Sequence, residues 1–279
     1  MGEKSEVRVV AFFDLDGTLL DGTNGNIYAR LMIQNGQMRA CGALWVLWYT
    51  ILYKLNRLPR IEVYKRVLDV MGQYTVIEMI EMQDVGFEGE IMGRLYKEGA
   101  DLVREHNEKG HVTVIATAAG EYVAERVRAQ LGARDVIATP IPIKGDHVMS
   151  EPLGLMSFME GKLQMAGDLC EKYGADLADC FFYSDSASDL PLLEAVGHPV
   201  MVNPQLKLRQ AARGRGWPVL KFKEHAGFTE PVRPGKLMSE PMDRFSKEYE
   251  KLRAARLSGT LEVPASEPLP SEPLPDESF

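Results

Sequence analysis

A chain of 279 residues, 45% of them hydrophobic, is long enough for one large domain or two smaller ones around a substantial core. Its formal charge of -8, with no dense Lys/Arg stripe, argues against sequence-independent binding to nucleic acid. Cys41, Cys170 and Cys180 form no Cys-x-x-Cys pair and leave an odd thiol, so a reducing compartment, with cytoplasm as the expected location, fits better than a disulfide framework.

The N-terminus runs from charged residues straight into an apolar stretch without the long hydrophobic segment of a signal peptide, and Glu6 stands where a myristoylation motif needs Ser or Thr. Val7–Phe13 is the first expected strand. The next, Val112–Ala116, comes far later than the dozen or so residues that a crossover needs, so something is inserted between them. That insert carries apolar residues near helical spacing at Ile27–Ile33, Leu44–Leu55, Ile61–Met71 and Ile91–Val103, which predicts a helical cap. Its uncharged run from Ala40 to Tyr53 is well short of the roughly 20 apolar residues that span a bilayer. Within it Ala43–Tyr53, with Trp45 and Trp48, is apolar around most of a helix and must be covered. The cap's own core is the favoured cover; a membrane surface, a second copy or an apolar leaving group is the alternative. Further on, Gly145-Asp146 between Ile141–Ile143 and Val148–Met149 predicts a hairpin turn beside the sheet.

Cys180–Tyr183 and Pro199–Val202 complete a set of short apolar runs separated by loops and helical periodicity, the pattern of a parallel α/β sheet. The expected division is residues 1–21 and 101–225 as an α/β core, 22–100 as the cap, and 226–279 as a C-terminal helix near Met242–Leu257 followed by a Pro/Glu-rich tail. In that tail, Glu262–Phe279, SEPLP occurs twice and disorder is expected.

The chemistry gathers at strand ends. Phe12-Phe13-Asp14-Leu15-Asp16-Gly17-Thr18 places two carboxylates one residue apart where the chain leaves the sheet, and a hard divalent cation such as Mg²⁺ would offset that charge. Alone, the segment reads equally well as an Asx turn. A second acid pair, Asp185 and Asp189, follows the apolar run Cys180–Tyr183, and binding sites in open parallel sheets form beyond the carboxyl ends of the strands. Asp189 taken alone could cap the helix starting at Leu190, a reading that leaves Asp185 unexplained. Thr117 ends the Val112–Ala116 strand ahead of the helix holding Tyr122–Val127, where its hydroxyl suits a phosphoryl oxygen or a simple N-cap. Lys162 opens a helix after Gly161; by itself it would be an ordinary solvated lysine. The histidines are scattered, with His111 and His198 expected to be packed or hydrogen-bonded, and the fourteen methionines read as core filler.

These four elements, in this order, resemble the motifs of the haloacid dehalogenase superfamily over about Val7 to Val219. The run from Ser184 to Leu193, with Gly197-His198-Pro199-Val200 and Val202-Asn203-Pro204, is similar to the phosphoserine-phosphatase-like branch, whose helical cap follows the first motif. The resemblance implies a Rossmann-like core with an inserted C1-type cap, and Mg²⁺-dependent hydrolysis of a small phosphomonoester through an aspartyl-phosphate. It makes Asp14 the nucleophile, Asp16 the general acid and base, and Thr117 and Lys162 the phosphate ligands. Asp14, the Asp16 carbonyl and Asp185 would hold Mg²⁺, with Asp189 joining directly or through water. Asp16 argues against the ion-pumping relatives, which carry threonine there.

A mutase or a lysophospholipid phosphatase would use the same residues, and a silent phospho-ligand sensor is disfavoured by the complete set. True phosphoserine phosphatases place a glutamate nine residues after the nucleophile to grip the substrate amine; here that position is Thr23, which weakens phosphoserine as the substrate. Deleting Glu262–Phe279 is expected to leave the melting temperature and turnover nearly unchanged, because the tail offers little apolar surface and no catalytic group; thermal denaturation of the truncated protein checks this.

Overall fold

The structure is a computed structural model that describes residues 8–34, 64–65, 68–69, 71–149, 151, 153–258 and 260. The helix expected at Leu44–Leu55, the apolar stretch Ala43–Tyr53 and the tail Glu262–Phe279 lie outside the described residues; of Ile61–Met71, residues 64–65, 68–69 and 71 are described and helical.

Strand β1 (Val10–Phe13) is buried along its whole length, and it sits at the centre of a sheet ordered β3-β2-β1-β6-β7-β8. Its neighbours are β2 (Val112–Gly120) and β6 (Phe181–Ser184), with β3 (Asp135–Thr139), β7 (His198–Val202) and β8 (Val219–Leu220) outside them, all paired in parallel. Alternate residues of each strand face opposite sides, so a sheet covered on both faces needs apolar residues at every step. Phe13, Ile115 and Tyr183 pack with Val103, Val123 and Val127 on one face; Phe12, Val114 and Phe182 pack with Ala166, Leu169 and Leu192 on the other. The α/β expectation is therefore met, with β3 and β8 as additional strands: the apolar run Val136–Ala138 and the two residues of β8 are too short to stand out by periodicity.

Helix α1 (Asn24–Gln34) and α2 (Val76–Gly86) belong to the insert. A capping box starts α2: the Glu78 N–H donates to Thr75 Oγ1 at 3.2 Å, and the Thr75 N–H donates to the Glu78 carboxylate at 2.8 Å. The single helix expected over Ile91–Val103 is not formed. After α2 the winding passes through a π-helical stretch (Phe87–Ile91) and a 3-10 turn (Met92–Arg94), then Leu95 and Tyr96 are extended, and α3 (Lys97–Glu108) begins afresh. Tertiary hydrogen bonds explain the break. Leu95 bridges Leu20, Tyr96 bridges His225, and the Tyr96 N–H donates to Leu19 O at 2.9 Å while the Ala226 N–H donates to Leu95 O at 2.8 Å. Residues 19–21, 94–96 and 224–226 thus lie side by side where the insert joins the sheet.

Helices α4 (Glu121–Leu131), α5 (Glu160–Tyr173), α6 (Leu190–Ala195) and α7 (Leu206–Arg215) cover the sheet, and β4 (Ile143–Lys144) and β5 (His147–Val148) form the expected hairpin. The last helix, α8 (Glu240–Leu257), packs Met242, Phe245 and Tyr249 against Val76, Met79 and Ile80 of α2. Beside that contact, fully buried Arg126 on α4 lies 3.1 Å from Asp84 and 3.2 Å from Glu88 of the insert. Arg233 also pairs with Asp84 and Glu88, and Arg253 of α8 reaches Glu88 at 3.1 Å. No helix among the described residues is long and apolar enough to cross a membrane.

Arg126→Met should cost about 3–5 kcal/mol in chemical denaturation, because it strips one cation from a buried pair and leaves Asp84 short of charge. A loss under about 1 kcal/mol would show that Arg233 alone satisfies Asp84.

Candidate active site

Asp14 follows β1 directly, and its N–H donates to Tyr183 O at 2.9 Å, so the chain is still held by the sheet where the carboxylate emerges. The next turn brings Asp16 back toward the same opening. Gly17 adopts φ +78°, and a Cβ there would stand 2.4 Å from Oδ2 of Asp185, so only glycine lets the first motif press against the fourth. Asp16 is partly exposed, and its Oδ1 accepts the Asn24 N–H at 2.7 Å, a contact that ties it to the first residue of α1.

Lys162 arrives from another direction. A Cβ on Gly161 would stand 2.1 Å from the Met156 carbonyl, and Met159 takes φ 48°; this tight start lets α5 turn its lysine inward. The ammonium is 2.9 Å from Asp14 Oδ1 and 2.8 Å from Asp189 Oδ1, and lies 5.6 Å from the centre of the Phe182 ring. Asp189 does not use its side chain as a helix cap: its Oδ2 accepts the Ser184 hydroxyl at 2.6 Å. Asp185, also buried, has Oδ2 bonded to Gln205 Nε2 at 2.9 Å, while Oδ1 has no partner.

Strand β2 runs past the expected end at Ala116 and through Thr117 to Gly120, with a register shift against β3 between Ala116 and Gly120. Such irregularities re-aim backbone and side chains at functional edges. Because Ile115 pairs with Phe13, buried Thr117 lies at the same sheet edge as Asp14, with its Oγ1 accepting the Ala119 N–H at 3.1 Å. The cap of the following helix is Gly120, not Thr117.

Four carboxyl groups thus face one ammonium, and the electrostatics follow. Burial raises the Asp14 carboxyl well above its ordinary value, opposed by Lys162 and reinforced by Asp189 and Asp185. Burial likewise raises Asp16 to about 6, against the Asn24 hydrogen bond and Lys162, and raises Asp185 to about 7 against the bond from Gln205. Burial alone would lower the Lys162 ammonium, but Asp14 and Asp189 outweigh it and hold the group charged. Sequence reasoning named all six of these functional candidates and missed Asn24, Ser184 and Gln205. Only Ser184 stood inside a quoted motif, and nothing in the local pattern of the other two marks them.

A family model described as haloacid dehalogenase-like hydrolase matches residues 11–194, more than half of the chain. The chain belongs to that family. This hydrolase is 30% identical over 239 residues to the "Inhibition of morphological differentiation protein" of Streptomyces azureus, covering 81% of this chain and 86% of the relative. It is 29% identical to the histidinol-phosphatase of Neisseria meningitidis serogroup C, over 78% of this chain and 100% of the relative. Among solved structures, one described as a phospho-aspartyl intermediate analogue of phosphoserine phosphatase superposes with a TM-score of 0.60 at 13% identity, covering 79% of this chain and 95% of that one, a likeness of fold.

Beneath Asp14, the hydrolase packs an aromatic group. Phe13 and Tyr183 stack at 4.7 Å, the Tyr183 hydroxyl is 2.9 Å from His106 Nε2, and His106 Nδ1 is 2.8 Å from His111 Nδ1. His198 stacks on Phe181 at 4.4 Å, so His111 and His198 are packed as expected. Burial, then the nearby His111 and Lys109, lower His106 from 6.5 to about 4. The neutral ring is the native form, so its contribution to stability is complete above pH 6.5 and is lost as pH falls toward 4. In denaturant titrations across that window, His106→Gln should therefore show a shallower loss of stability than the parent.

Proposed function

We propose that this hydrolase cleaves small phosphomonoesters through an aspartyl-phosphate on Asp14, aided by Mg²⁺. The observation that carries the reading is the buried ammonium of Lys162 held between Asp14 and Asp189, 2.9 and 2.8 Å away, at the central sheet edge. A buried cation beside a carboxylate nucleophile is what a phosphoryl group needs, because charge stabilisation dominates its transfer.

The residues fit a magnesium ion. Asp185 Oδ1 is buried without a partner, and Asp14, Asp16 and Asp185 are all raised by burial, so the cluster is short of positive charge. Among the described residues no three acidic, His or Cys side chains make a ready metal cage. Mg²⁺ asks for less, commonly one or two carboxylates completed by water and substrate phosphate. Asp14, Asp185 and the Asp16 carbonyl would hold it, while Asp189, engaged with Lys162 and Ser184, would serve to anchor the lysine. When bound, the ion supplies Lewis-acid neutralisation of the phosphoryl and carboxylate charge.

In the first displacement an Asp14 oxygen bonds to phosphorus as the ester P–O bond breaks, and Asp16 gives its proton to the leaving oxygen. In the second, Asp16 takes a proton from water as the water oxygen attacks phosphorus, which frees phosphate and restores Asp14. A carboxyl held near pH 6 is suited to both directions at neutral pH. Lys162 and Thr117 would bind the phosphoryl oxygens not engaged in bond exchange. Residues 22–100 would act as the cap that selects the leaving group, with α1 reporting to Asp16 through Asn24. The similarity to a histidinol-phosphatase over 78% of this chain puts histidinol phosphate ahead of phosphoserine in a substrate screen.

With p-nitrophenyl phosphate, turnover should require Mg²⁺ and return on re-addition after EDTA. Asp14→Asn should be inactive yet melt near the parent temperature, and Asp16→Asn should lose about 10²–10⁴-fold. Substantial turnover by Asp14→Asn, or full activity in EDTA, would sink the mechanism.

A further inference from the structure

Resting on the metal reading above, we propose that Gln205 is the positioning residue that orients Asp185 toward Mg²⁺. Gln205 precedes α7 and grips Asp185 twice: its N–H donates to the Asp185 carbonyl at 2.9 Å, and its side-chain Nε2 donates to Oδ2 at 2.9 Å. The same Oδ2 fills the space that a Cβ on Gly17 would occupy. Two constraints on one oxygen fix the rotation of the carboxylate. Its other oxygen, Oδ1, is then left buried and unpartnered within the acidic cluster.

The chemistry of the donor matters. A lysine or arginine in this place would neutralise Asp185 and compete with the cation; an amide N–H orients the carboxylate and leaves its charge available. Hydrogen bonds of this kind set ligand geometry, and their removal typically weakens metal binding. The grip is itself supported. Asn203, with φ 42°, accepts the Phe222 N–H at its Oδ1 and donates from Nδ2 to the Phe222 carbonyl, both at 3.2 Å, which pins the loop that delivers Gln205. Gln205 is exposed apart from this contact, so a surface glutamine making an incidental bond is the plain alternative. Against it stands the acceptor, a carboxylate that is 7% exposed and, among the described residues, hydrogen-bonds no other side chain.

The experiment titrates Mg²⁺ alone, by calorimetry and by the Mg²⁺-dependent rise in melting temperature, into the parent, Gln205→Met and Asp185→Asn. Methionine keeps the length of the side chain and removes the donor without adding charge. Gln205→Met should melt with the parent in EDTA, bind Mg²⁺ about 10–100-fold more weakly, and approach the parent kcat only at raised Mg²⁺. Asp185→Asn should lose Mg²⁺ binding. If Gln205→Met binds Mg²⁺ as the parent does while Asp185→Asn does not, the positioning role is overturned and the metal reading stands. If Asp185→Asn binds Mg²⁺ as tightly as the parent, the metal reading fails and the positioning role with it.

Discussion

One buried ammonium set among four carboxyl groups is the constraint around which the molecule is organised. Lys162 satisfies Asp14 and Asp189 directly, and the surplus negative charge falls on Asp16 and Asp185, whose carboxyls are raised by burial. Such a site is costly to bury unless its groups are held at fixed distances. The sheet provides that rigidity. Asp14 and Asp185 leave adjacent parallel strands, β1 and β6, on the two sides of the switch point in strand order, so backbone hydrogen bonds set their separation before any side chain is placed.

The flanking parts follow from the need to hold that cluster. Below it, the stacked Phe13 and Tyr183 and the neutral His106 form a buried aromatic bed. Beside it, Gly17 and Gly161 leave no room for a side chain, since a Cβ would stand 2.4 Å from Asp185 Oδ2 at the first and 2.1 Å from the Met156 carbonyl at the second. Close packing of this kind leaves little freedom for the carboxylates to swing toward solvent, where their charge would be better hydrated.

The C-terminal part has a separate task. Residues 224–226 lie against the two segments that carry the chain into and out of the insert, the Asp21 and His225 side chains meet at 3.1 Å, and α8 packs on α2. Together with the ion pairs of Arg126, Arg233 and Arg253, this strap joins insert, sheet and C-terminus at several points. The arrangement holds the described part of the insert against both the sheet and the C-terminal helix.

Much of this was legible in the residues. Short apolar runs ending in Asp14, Thr117 and Asp185 announce a parallel sheet with a site at its edge, because strand burial demands apolar residues and a strand end is where acids can emerge. Local patterns also marked α8 and the hairpin. They failed where distant contacts decide the backbone: apolar spacing over Ile91–Val103 satisfies a helix, yet hydrogen bonds from Leu19 and Ala226 draw Leu95 and Tyr96 out of it. They failed again for single polar side chains. The sequence by itself determined which charged groups are on offer, since Asp14 and Asp185 follow buried apolar runs and Lys162 opens a helix after a glycine. Only the tertiary structure decided that Asp189 faces Lys162, that Asp185 keeps one free oxygen, and that Gln205 holds the other, because these depend on elements remote in the chain meeting within hydrogen-bond reach.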